Sequence, residues 1–171
     1  MNTELGRIYQ EYENDQDLSK YVRSLENMVS KGNDFFALHV LLGNAYGRQG
    51  KNTDAVRELN RAIELNPGDA SAHYQLGFAY GKLNRHQEAI SAYQRAVEID
   101  PIFSKAWANL GARLGRVGRL AEAINAFQTA LRINPDDDVA RKGMEEFDAV
   151  FVRKSVWARI VQWWRRWRAG E

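Results

Sequence analysis

Leu42-Gly43, Leu76-Gly77 and Leu110-Gly111 stand 34 residues apart, and each is followed at constant offsets by the same residue types. Those are alanine (Ala55, Ala89, Ala123), alanine again (Ala62, Ala96, Ala130) and proline (Pro67, Pro101, Pro135). A period of that length marks stacked copies of one supersecondary unit rather than one closed core. Each copy buries its apolar face on the next, so stability is roughly a sum over neighbours. An open row of units follows, and a catalytic centre is not expected of it.

With Phe36, Ala70 and Ser104 as the first positions of three units, position 8 is Gly43, Gly77 and Gly111. Positions 20 and 27 are always alanine. Two helices joined by a short turn can approach closely only where a side chain is absent or a single methyl. Larger residues at positions 4, 7, 11 and 24 fill the remaining space: His39, Leu42, Tyr46 and Leu59 in the first unit, with Tyr93 and Phe127 at position 24 of the next two. Gly50 and Gly118 stand just past the first helices, where a left-handed cap is wanted, and Asn84 takes that place in the middle unit. Pro67, Pro101 and Pro135 close the second helices by pushing the preceding residue out of the α region. Asp69, and Asp136 or Asp137, can cap the helices that follow.

The predicted organisation is all-α. Residues 1–35 form a degenerate first helix pair, or alternatively a non-repeat pair acting as a lid, with Leu5, Ile8, Tyr9, Tyr12, Tyr21, Leu25 and Met28 on the packing positions. Tyr9 and Tyr21 stand where glycine and alanine belong, so a wider helix spacing is expected. Units follow over 36–69, 70–103 and 104–137. A capping helix over 138–150 buries Val139, Met144, Phe147 and Val150, and a basic tryptophan-rich tail occupies 151–171.

Charge divides the chain. Residues 151–171 hold six basic residues against Glu171, a net of +5, so with +2 for the whole chain the preceding 150 residues sum to −3. At about 100° per residue, Val156, Trp157, Ile160, Val161, Trp163, Trp164 and Trp167 share an arc of roughly 160°. Arg159, Arg165 and Arg166 lie opposite, which describes an amphipathic helix. Three explanations compete for it. It can lie at an anionic membrane surface, with indoles at headgroup level. It can fold back as a further cap on the array. It can also dock in the groove of a second copy or a partner, making a homo-oligomer or an assembly. Arginine beside aromatics can clamp a nucleic acid strand, but the acidic body argues against that.

No cysteine is present, which excludes disulfides and thiolate metal sites, and no run approaches the roughly 20 apolar residues of a membrane span. The first residues lead into Glu11, Glu13, Asp15 and Asp17 without an apolar segment, so no secretion signal is expected. A cytoplasmic protein, peripheral on the membrane through its tail, is the expectation. His39 and His73 share position 4 of adjacent units, but a third ligand is missing and packing is the expected role. His86 is expected to be solvated in a turn. No catalytic, cofactor or metal site is expected.

The agreement of small, large and proline positions across residues 36–137 resembles the tetratricopeptide repeat family. The resemblance implies an α-solenoid of antiparallel helix pairs, working as an adaptor that holds a peptide or protein on its concave face. It further implies that positions 2, 5, 6, 9, 12 and 13 of the first helices line the groove. On this chain those give a candidate site of Asn44, Arg48, Tyr74, Gln75, Phe78, Lys82, Lys105, Asn109 and Arg116, whose cations favour an acidic ligand. Glycine at position 12 (Gly47, Gly81, Gly115) either leaves room for the ligand or relieves packing between neighbouring helices. Some relatives clamp a terminal carboxylate with lysines, asparagines and an arginine. Here Asn44 and Lys105 match, while Val40, Gln75 and Asn109 replace a lysine, an asparagine and the arginine, so clamping in that style is not expected.

Overall fold

The computed structural model describes residues 3–15 and 17–147, and the tail residues Trp157, Arg159, Ile160, Trp163, Trp164, Arg165, Arg166 and Trp167 lie outside them. The described residues are helical throughout, with no strand among them. In order the helices are α1 (Thr3–Asp15), α2 (Leu18–Ser30), α3 (Phe36–Arg48), α4 (Asn52–Leu65), α5 (Ala70–Lys82), α6 (His86–Ile99), α7 (Ser104–Arg116) and α8 (Leu120–Ile133). A further helix, α9, spans residues 138–147. No helix among the described residues is long and apolar enough to cross a membrane.

Why these helices stop where they do is visible in their last turns. Gly50 (φ 76°), Asn84 (φ 58°) and Gly118 (φ 80°) are all left-handed. In each turn the next residue's N–H reaches back five residues, Lys51 to the Tyr46 carbonyl at 2.9 Å, Arg85 to Tyr80 at 3.0 Å and Arg119 to Leu114 at 2.9 Å. This pattern satisfies carbonyls that the helix end would leave bare. Gly32 (φ 83°) ends α2 in the same way, with Asn33 N–H on Met28 at 3.2 Å. At the opposite ends, carboxylates of Asp17, Asp69 and Asp137 accept from backbone N–H groups of Lys20, Ala72 and Ala140 at 3.0, 2.7 and 3.0 Å.

Position 4 has a more specific task than filling space. His73 Nε2 lies 3.1 Å from the Pro67 carbonyl, and Trp107 Nε1 donates to the Pro101 carbonyl at 2.9 Å. The ring thus ties each first helix to the proline turn that precedes it. His39 has no proline turn behind it and instead meets Asp34 Oδ1 at 2.9 Å.

Within each pair, the position 24 side chain sits on the position 8 glycine. A Cβ on Gly43 would meet Leu59 Cγ at 2.7 Å, and on Gly77 or Gly111 it would meet the ring of Tyr93 or Phe127 at 2.8 Å. Leu59, Tyr93 and Phe127 are buried, as are Ala55, Ala89 and Ala123 beside them. The alternation of ring and missing side chain sets a short interhelix distance. Tyr93 carries its hydroxyl into that interior, and burial raises the phenol's pKa.

Successive helices pack along the chain, α3 with α4, α4 with α5, and so on to α8. The first helices also touch across units, α3 with α5 and α5 with α7, whereas α4, α6 and α8 make no comparable contact with one another. The row is therefore shorter on the first-helix side and curves toward it. At the amino end Leu5, Ile8, Tyr21, Leu25 and Met28 are buried as expected. Tyr9 is not sandwiched between α1 and α2: it is 41% exposed and faces the hollow of the row. At the other end α9 packs on α8 through Ala140, Met144 and Phe147, while Val139, expected to be buried, is 44% exposed. His86 begins α6 half-buried, not solvated in a turn.

Candidate functional site

The concave side is built from α3, α5 and α7, and these three helices contain no aspartate or glutamate. They carry Arg48, Lys82, Lys105, Arg113 and Arg116. The acids sit on the outer row, as Asp54, Glu58, Glu64, Glu88, Glu98 and Glu122 of α4, α6 and α8. Most outer arginines are neutralised locally by an acid three residues away, including Arg85–Glu88 at 2.8 Å and Arg95–Glu98 at 3.1 Å. The hollow side is a field of positive charge laid over apolar and amide side chains.

A cavity of about 720 Å³ opens in this hollow between α3 and α5. Of the residues expected to form the site, Asn44, Arg48, Tyr74, Gln75, Phe78 and Lys82 line it. Lys105, Asn109 and Arg116 stand further along, on α7, and do not line this cavity. Asn109 nevertheless links the two regions, since its Nδ2 donates to the Tyr74 hydroxyl at 3.3 Å and to the Lys105 carbonyl at 3.0 Å. Tyr74 is half-buried against Phe103 and Tyr93, with ring centroids 5.0 and 5.8 Å away, and burial raises its pKa. It forms a fixed wall. Phe78 is 46% exposed with Lys82 Nζ 5.1 Å from its ring centroid, so apolar and cationic surface lie together. Gln75 Oε1 is buried without a hydrogen-bond partner.

Several functional candidates escaped the sequence reading. Tyr9 and Tyr21 close the amino-terminal side of the cavity and Leu59 and Ala79 also line it, while Leu41, at position 6, stands on a groove position as expected. Arg113, at position 10 of its unit, is half-buried with Nε lacking a partner. The signal was present: position 10 reads Ala45, Ala79 and Arg113, and only the last is large.

The histidines are committed elsewhere. His39 is 4% exposed, with Nδ1 2.8 Å from Glu58 Oε2 and Nε2 on Asp34, which also pairs with Arg61. Arg61 is the main cause of the low pKa of Asp34, about 2, with His39 adding to it. His73 faces the Pro67 carbonyl instead, so the two rings share no ligand set. Among the described residues no cluster of histidine and carboxylates could hold a metal.

Comparison with known proteins follows the same outline. Two family models, both described as tetratricopeptide repeat, match residues 40–101 and 104–137. No curated protein matches the chain. Among solved structures, YrrB, titled a TPR protein with an unusual peptide-binding site, superposes with a TM-score of 0.74 at 24% identity, over 78% of this chain and 69% of YrrB. MamA superposes with a TM-score of 0.75 at 24% identity, covering 88% of this chain and 86% of MamA. The second TPR domain of human RPAP3, solved in complex with the HSP70 peptide SGPTIEEVD, gives 0.62 at 26% identity over 64% of this chain and 92% of that domain. With period, turn chemistry, curved row and family models in agreement over the same residues, this chain belongs to the tetratricopeptide repeat family.

Proposed function

We propose that this protein is a non-catalytic adaptor that holds an acidic peptide or protein segment in its concave channel, and that its basic tail places it at an anionic membrane surface. The observation that carries the channel reading is the sorting of charge: five cations and no carboxylate on the three inner helices. A ligand bearing carboxylates gains favourable contacts there, and a basic one is repelled. The peptide held by the RPAP3 domain, SGPTIEEVD, is itself acidic, which supports the reading by analogy. Val40, Gln75 and Asn109 stand where a terminal-carboxylate clamp would place two cations and an amide, so the channel suits an internal acidic segment better than a chain end.

Selection of random dodecapeptides on the full chain tests this. Enriched sequences are expected to be rich in Asp and Glu, and to bind about ten-fold more weakly to a Lys105→Glu/Arg116→Glu variant. Enrichment of neutral or basic peptides, or none at all, overturns it.

The tail reading rests on the tryptophan arc and the +5 charge of residues 151–171. The channel's own charge bears on the alternative in which the tail of one copy enters the groove of another, because five inner cations would meet a cationic helix. The full chain is expected to float with phosphatidylserine vesicles, while a chain ending at Phe151 stays behind. Equal flotation of the two, or none for either, removes the membrane placement. A large fall in melting temperature on the same truncation would assign the tail to the array as a cap.

A further inference from the structure

The three glycines at position 12 are not equivalent. A Cβ on Gly81 would meet the guanidinium of Arg113, with Cζ at 3.0 Å and Nε and Nη2 at 3.2 Å. A Cβ on Gly115 would meet Phe147 Cζ at 3.2 Å. Gly47 has nothing within 4 Å. Register offers a reason: Gly81 and Gly115 meet position 10 of the next first helix, Arg113 and Phe147, and the corresponding residue for Gly47 is the small Ala79, which lines the same cavity. Two slots are filled by large side chains from the following unit. The first is left open because alanine stands where arginine and phenylalanine stand later.

That open slot is the part of the hollow walled by Tyr9, Tyr21, Leu41, Leu59, Tyr74 and Phe78. The cavity to which this slot belongs, about 720 Å³ in all, falls inside the roughly 300–1,000 Å³ of sites that enclose a small ligand. The second slot differs in kind. Arg57, Arg61, Arg85, Arg95, Arg119 and Arg141, outside the inner helices, each hold a carboxylate at 3.1 Å or closer. Arg113 pairs with none among the described residues and has its Nε buried without a partner. A half-buried guanidinium without an anion is an unfavourable arrangement that a ligand carboxylate would relieve, by a fork of parallel hydrogen bonds.

We propose that the channel reads a two-part motif: a large aromatic or aliphatic side chain seated between Gly47 and Ala79, and a carboxylate on Arg113 one unit further along. The proposal rests on the acidic-ligand reading above and sharpens it. Neighbouring packed helices lie roughly 8–10 Å apart, and an extended strand advances about 3.3 Å per residue. The two ligand residues therefore stand about three positions apart in an extended segment. Gly81 is part of the device, since a Cβ there would force the Arg113 guanidinium to shift by a few tenths of an ångström.

The test repeats the dodecapeptide selection with the full chain and two variants. Wild type is expected to enrich peptides with a bulky apolar residue about three positions from Asp or Glu. Ala79→Phe fills the open slot as Phe147 fills its own, and should weaken the best peptide about ten-fold while keeping the preference for acids. Arg113→Met keeps an unbranched stem on Gly81 without charge, and should weaken it about ten-fold and flatten its salt dependence. Circular dichroism melts confirm that the variants fold. Should Ala79→Phe fail to, replacing the peptide's apolar residue by alanine tests the same contact from the ligand side on wild type. Acidic peptides enriched without a fixed apolar partner overturn this proposal while leaving the acidic-ligand reading intact. So does a change of about two-fold or less for either contact. Absence of acidic enrichment overturns both.

Discussion

Phe127→Ala is expected to lower the free energy of unfolding by about 3–5 kcal/mol, the range for emptying an aromatic site in a packed core. Phe127 is 2% exposed and lies against Gly111 of α7 on one side and Gly143 of α9 on the other, with the Phe147 ring 6.0 Å away. Both glycines lack the atoms that could close over the void, and the helix backbones are held apart by their own packing. The loss is directional. Because contacts run between chain neighbours, the destabilisation should fall on α7, α8 and α9 and fade toward α3. Urea unfolding with amide hydrogen exchange reads both parts. A loss below about 1 kcal/mol, or protection lost evenly across all helices, would contradict the account of Phe127 as the joint between the last pair and α9.

A second expectation concerns the buried pair of α3 and α4. His39→Leu removes one partner of Glu58, which is 8% exposed and keeps only Arg57 Nε, at 3.0 Å. A carboxylate left nearly alone in the interior is costly, and about 2–3 kcal/mol is expected, below the value for a fully uncompensated charge because Arg57 remains. Replacing both, as His39→Leu with Glu58→Met, should recover most of that loss, since shape is kept and no charge stays buried. The double-mutant cycle measures what the pair contributes beyond its two packed shapes. Losses that simply add would show that the two side chains do not interact.

The same network carries a pH signature. The Arg61 hydrogen bond, with His39 behind it, lowers the carboxyl of Asp34 from 3.8 to about 2. A depressed folded value means its contribution is complete above the unfolded value and is lost as the pH falls from about 4 toward 2. In an Arg61→Gln variant the loss of stability over that window should shrink, measured by urea midpoints at stepped pH.

Most of the scaffold could be read before any coordinates, because repetition isolates what each unit must share. Gly50, Asn84 and Gly118 announce one turn three times, and Leu59, Tyr93 and Phe127 face glycine in every pair. The candidate site was harder for the same reason. Its distinguishing residues are those that do not repeat: Ala79 against Arg113 and Phe147, or Asp34 joined to Glu58 through His39. Tyr9 was misplaced because the first pair lacks the small residues that define the frame, so its ring had no slot between helices and turned to the hollow. Tyr74 lines the hollow as its groove position suggested, but its fixing by Phe103, Tyr93 and Asn109 depends on neighbours that the repeat frame does not specify.

The partition of charge between inner and outer helices reaches beyond whatever finally touches the ligand. Counting side chains, the inner helices α3, α5 and α7 sum to +5 and the outer α4, α6 and α8 to −2. Over these three pairs charge is thus divided across the thickness of the row, while α1 at the amino end is acidic. An acidic segment of the proposed kind would be turned toward the α3, α5 and α7 side before contact. Under the two-part reading proposed above, recognition would begin within about a Debye length, as a torque, and end in the fit of two side chains.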